Sequence, residues 1–227
     1  MLRSLLPASA DFVALGAVWA SGLVLLLWGR VLTQGRGLPE IQIVAGWGGL
    51  AFVLTLWGAL LPQPLWWPMA AVVALMPLAL VVPRLRPGRE EWLALWRLMV
   101  LALPLWAIML TAQPSQPDTF LNLLPNAAYL YDHGMLPTDV RPPAHSLLPG
   151  APYNLQFWAY LAGAALADFP ASAMAHVNVL LHLLMGLLLA RVAEPLLGAT
   201  FEGAERRAPG WGATALGLLL AIPLNPG

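Results

Sequence analysis

From Ile41 to Pro83 the chain carries no charged residue, and this run limits the possible folds more than any other feature. It is about twice the roughly 20 residues that one α-helix needs to cross a bilayer. The stretch "LPQPLWWP" (61–68) interrupts it with three Pro and a Trp pair. Proline stops a helix, and Trp settles at headgroup depth, so two spans joined by a tight turn are expected. The whole chain agrees: 59% of its residues are hydrophobic and 10% are charged, with a mean hydropathy of +0.72. A soluble domain carries about 25% charged residues, so the sequence describes an integral membrane protein.

Further apolar stretches occupy 12–29, 93–111, 152–168, 171–193 and 211–225, of which 152–168 is short and marginal for a span and 211–225 begins a last one. The expected fold class is therefore all-α, a polytopic helical membrane protein of about six to seven transmembrane helices with one extracytoplasmic loop carrying a short amphipathic helix. Residues 1–92 hold the first three helices; 93–227 hold a fourth helix, the loop 113–151 and the remaining helices. The chain stops directly after an apolar run, which reads as the N-terminal portion of a longer protein. The opening "MLRSLLPASAD" is too short and Pro-broken for a cleaved signal peptide.

Eleven basic residues, all Arg, balance eleven acidic ones, and no basic block is present. Nothing in that pattern fits nucleic acid or a polybasic lipid clamp. With no cysteine, disulfides and thiolate metal sites are excluded. Four Arg in 83–97 and two in 29–37 mark the cytoplasmic side, placing the Arg-poor loop 113–151 outside a bacterial inner membrane. The segment 191–207, with three Arg and three Glu, falls on the same outer side only if 152–168 fully spans; a re-entrant 152–168 returns it to the cytoplasmic side.

The loop is organised. Asp118 stands at a helix N-cap position after two Pro, and Phe120, Leu124, Ala127, Ala128 and Tyr131 recur at spacings of three and four. Pro125 is placed to kink that helix and Gly134 to end it. Asp132, His133, Asp139, Arg141, His145 and Tyr153 share the same short segment. Such a set suits chemistry in which a carboxylate takes a proton from an acceptor hydroxyl while Arg or His neutralises a leaving phosphate. The plain alternative is that Asp118 only caps a packed helix.

Asp118, "AAYLYDHGMLP" (127–137), "HSLLPGAPYNLQF" (145–157) and "AHVNVLLHLLMGLLLARVAEPLLG" (175–198) together resemble multi-spanning GT-C-type glycosyltransferases over residues 95–225. The resemblance implies transfer of a sugar from a polyprenyl-phosphate carrier to an extracytoplasmic acceptor. It makes Asp118 the candidate catalytic residue and the other six the substrate-binding set, with His145 in the closing loop. Thr119 follows Asp118, so no second adjacent carboxylate is present, and a lone Asp is a poor site for a divalent cation. No cofactor is expected; the partners are membrane lipid and the lipid-linked sugar. The rival readings are a transporter-like or flippase-like protein and an inactive truncated product. His176, Asn178 and His182 in the span 171–193 line a substrate path or act as interhelical polar glue.

Overall fold

The computed structural model describes residues 9–61, 63–110, 119–138, 143–150, 153–164, 166, 169, 171–195 and 207–221. Among them the regular structure is entirely helical. The first pair, α1 (Ser9–Leu32) and α2 (Pro39–Leu60), packs antiparallel. The chain continues through α3 (Trp66–Val81), α4 (Arg89–Leu101) and its continuation α5 (Leu103–Met109). After α6 (Leu124–His133) and α7 (Asn154–Gly163), the long α8 (Ala173–Ala193) pairs with α9 (Trp211–Ala221).

Three of these helices, α1, α2 and α8, are long and apolar enough to cross a membrane. A fourth crossing is added if α3 and the 83–101 segment, bent by 106° between them, count as one broken span. The six to seven long spans expected from the apolar runs are thus not all present as such. At 16 residues α3 is shorter than its run because Pro83 ends it, and α4 ends at Leu101 ahead of Pro104. Among the described residues α9 has 11 residues.

Two glycines set how closely α1 and α2 approach. A Cβ on Gly46 would lie 2.0 Å from the Leu25 carbonyl oxygen, and one on Gly29 would meet the Gln42 carbonyl just as closely. Only bare backbones fit there, the close approach that small residues allow between helices. Gly186 and Gly217 do the same for α8 against α9.

The two ends of the bundle differ. At one, the basic end, Arg30 is 3% exposed and its guanidinium donates to Gln42 Oε1, Glu91 Oε1 and the carbonyls of Leu85 and Arg86. Arg191 pairs there with the fully buried Glu40, and Arg97 donates to the Ala208 and Pro209 carbonyls. This ties the 29–42 turn, the 82–91 turn, the end of α8 and the start of α9 into one layer. Removing either partner of so buried a pair leaves an uncompensated charge, which is the main energetic reason the layer stays closed.

Arg191 sits beside Glu40, so α8 ends where α1 ends and α2 begins. Its other end, at Met174, packs with Ala127 and Ala159 of α6 and α7. The described helix within 152–168, α7, is short. It has 10 residues, about 15 Å, roughly half a bilayer. Trp47 Nε1 donates to Asn154 O at 2.7 Å, and Trp47 is roughly 20 Å along α2 from its far end, so α7 starts deep in the bundle. From Gln156 to Gly163 α7 is buried throughout, with Trp158 Nε1 donating to Ser21 Oγ at 2.8 Å.

Candidate functional site

The end opposite the Arg layer carries a polar crown. A π-type turn at Thr119–Leu123 leads into α6, which places Pro125 in the first turn of the α-helix where its missing N–H is not needed. The expected kink at Pro125 is replaced by this change of helix type. Gly134 closes α6 as expected, with φ 62° and its N–H donating to Leu130 O at 2.8 Å. The buried face of α6 carries Asn126, Ala127, Tyr129 and Leu130, whereas the expected apolar stripe members Ala128 and Tyr131 are only half-buried. The face rotated because α6 packs on α7 and α8 rather than lying on a flat surface.

The segment 143–150 folds back over α6: Leu147 N donates to Leu121 O at 3.1 Å, and Asn126 Nδ2 donates to Leu148 O at 3.1 Å. Tyr153 follows, buried, with its hydroxyl donating to Pro149 O at 2.8 Å.

The expected site residues are distributed unevenly. Asp118, Asp139 and Arg141 lie outside the described residues. Asp132 and His133 are exposed in the last turn of α6, with the His133 ring 4.4 Å from that of Tyr129. His145 is exposed in the fold-back segment. Asp132, His133 and His145 thus share one end of the bundle, whereas the buried Tyr153 directly precedes the deep start of α7, and no hydrogen bond joins any two of the four. Among the described residues no group of three or more His, Asp or Glu is placed to hold a metal ion.

Two features escaped the sequence. Asn126 and Gln156 are fully buried, and Asn126 Oδ1 and Gln156 Nε2 have no partner among the described residues. An Asn in an amphipathic helix and a Gln at a helix start both read as solvent-facing, so no signal marked them. The second is an apolar groove of about 410 Å³ between α1, α3 and α7, lined by Ala17, Ala20, Ser21, Trp66, Met69 and Leu161 among others. That volume is within the usual range for small-molecule sites. It adjoins the crown through one peptide: Leu65 N, just before Trp66, donates to Gly134 O at 2.7 Å.

The three polar residues of α8 separate. His176 is buried with its ring 5.8 Å from that of Trp106, while His182 turns its Nδ1 to the Asn178 carbonyl of its own helix at 2.8 Å. Asn178 is exposed, so the three do not line one path.

Comparison with protein families, with characterised proteins and with solved structures finds no match.

Proposed function

We propose that this chain is a GT-C-like membrane glycosyltransferase moving a sugar from a lipid-phosphate carrier to an extracytoplasmic acceptor. The observation that supports it best is the neighbourhood of crown and groove. An apolar slot suited to a carrier chain opens one peptide away from Gly134, next to exposed Asp132 and His133. A lipid-linked donor needs that pairing of an apolar slot with a polar reaction zone.

In this reading Asp118 removes the acceptor hydroxyl proton, the oxygen attacks the anomeric carbon, and the carbon–oxygen bond to the lipid phosphate breaks with inversion. Arg141 and His145 neutralise the departing phosphate, and Asp132, His133, Asp139 and Tyr153 contact sugar or acceptor. The membrane is the bacterial inner membrane, with loop 113–151 outside because the Arg-rich turns belong inside. The count of six to seven crossings belongs to the same proposal: α3 and the α4–α5 pair each carry the chain between the two ends despite their length.

The test is glycan and glycolipid profiling of cells expressing the full-length gene as wild type or Asp118→Asn at equal membrane levels. Loss of a general base lowers transfer by a factor on the order of 10²–10⁴, so the product made by wild type is expected to disappear. Equal product from both variants reduces Asp118 to a cap. Absence of product from both favours a transporter-like reading, for which the buried half-helix α7 with its unpaired Gln156 amide is the supporting feature.

A further inference from the structure

No stretch of the sequence forms a basic block, yet folding gathers one. All eight described Arg (30, 36, 84, 86, 89, 97, 191 and 207) lie at the same end of the bundle, with Glu40, Glu90, Glu91 and Glu194 as the only described acids there. The acids are largely consumed. Glu40 is fully buried against Arg191, and Glu91 is held by Arg30 and the Gly88 N–H. Glu194 accepts from Gly210 N, and Glu90 from Ala208 N. The cations left facing outward are Arg207, which stands just before α9, and a group made of Arg36, Arg84 and Arg89, all exposed and none in an ion pair among the described residues, with Arg86 exposed beside that group.

The Arg of that group come from two turns that touch. Gly35, at φ 74°, packs so closely on Arg84 that a Cβ there would lie 2.2 Å from the Arg84 carbonyl oxygen. Arg36 is thereby held beside Arg84, and Arg89 opens α4 a few residues on. On the same helix Trp92 and Trp96 are 44% and 53% exposed, one and two turns deeper, and Trp211 lies under Arg97 at 5.8 Å. Exposed Trp at that depth marks the polar–apolar boundary of a bilayer, so the Arg cluster stands at the level of lipid phosphates.

We propose that Arg36, Arg84 and Arg89 form a docking surface for the headgroups of anionic phospholipids. Guanidinium forks bind phosphate bidentately, and with Glu40 and Glu91 paired to Arg191 and Arg30 the exposed carboxylate of Glu90 is outnumbered by the three guanidinium groups. The preference follows charge: a zwitterionic headgroup adds no net attraction. The inference is independent of any sugar transfer.

The test uses the full chain purified in mild detergent and offered phosphatidylglycerol or phosphatidylcholine, with bound lipids counted by native mass spectrometry. Wild type is expected to retain phosphatidylglycerol over phosphatidylcholine, with retention falling as salt rises. The triple variant Arg36→Gln, Arg84→Gln, Arg89→Gln is expected to bind phosphatidylglycerol tenfold or more weakly, on the order of fivefold per basic residue at most. The matching triple Lys variant keeps the charge but loses the fork, so it is expected to bind between wild type and the Gln variant and to keep the preference for phosphatidylglycerol. If the Gln variant does not fold, the wild-type preference and the Lys variant decide. Equal retention of the two lipids by wild type overturns the proposal, as do unchanged retention in the Gln variant, loss of the preference in the folded Lys variant, and competition by soluble glycerol phosphate at concentrations equal to the lipid.

Discussion

Arg191 illustrates how much a single side chain decides here. Its guanidinium is fixed by Glu40, which is fully buried, and by the Arg207 carbonyl, so it bridges α8, α2 and the entry to α9. Truncating one partner of a buried pair costs about 3–5 kcal/mol, because the remaining charge stays without compensation. Arg191→Gln is therefore expected to lower the thermal midpoint in detergent sharply, with Glu40→Gln doing the same. Arg191→Lys keeps the charge but loses the fork, so it is expected to fall between them. A midpoint unchanged in Arg191→Gln shows that the pair contributes nothing. In the sequence Arg191 is simply a basic residue at a helix end, and Glu40 simply precedes an apolar run. Their partnership spans 151 positions and is invisible without the fold.

At the level of elements, α1 and α2 are held by close backbone approach more than by side-chain interdigitation. Gly46→Leu would drive a side chain into the Leu25 carbonyl, so the variant is expected to separate the two helices. Loss of folded protein on size-exclusion chromatography, against near wild-type behaviour for Gly48→Ala, is the expected contrast, since Gly48 has open space around its Cβ position. The sequence shows three glycines in 46–50 but not which of them makes the contact. It also signalled Gly134 as the end of α6, because a left-handed cap is a local requirement. Length misled where context decides: 152–168 is apolar enough to suggest a span, but its helix stops at Gly163 and is buried on all sides by other helices. Hydropathy does not distinguish lipid from protein as the apolar surrounding.

Across the whole molecule the folded chain has a basic end and an end carrying Asp11, Asp132 and the crown. Because the chain has no native cysteine, this polarity is directly measurable. Single substitutions His145→Cys, Arg89→Cys and Arg207→Cys all fall on exposed residues. An impermeant maleimide is expected to label the first from one side of sealed vesicles and the other two from the opposite side. Labelling of Arg207→Cys together with His145→Cys shows that 152–168 crosses fully.

The sequence by itself determined that the chain is a helical membrane protein, where its longest helices run, and that an organised polar segment interrupts them. Those properties follow from local composition, because about 20 apolar residues in succession have few other stable states. Only the tertiary structure decided that α7 is a half-helix, that Arg30 and Arg191 are buried in ion pairs, and that Arg36, Arg84 and Arg89 face outward together. Each of these depends on contacts between residues distant in the chain, and neither periodicity nor hydropathy encodes which distant residues will meet.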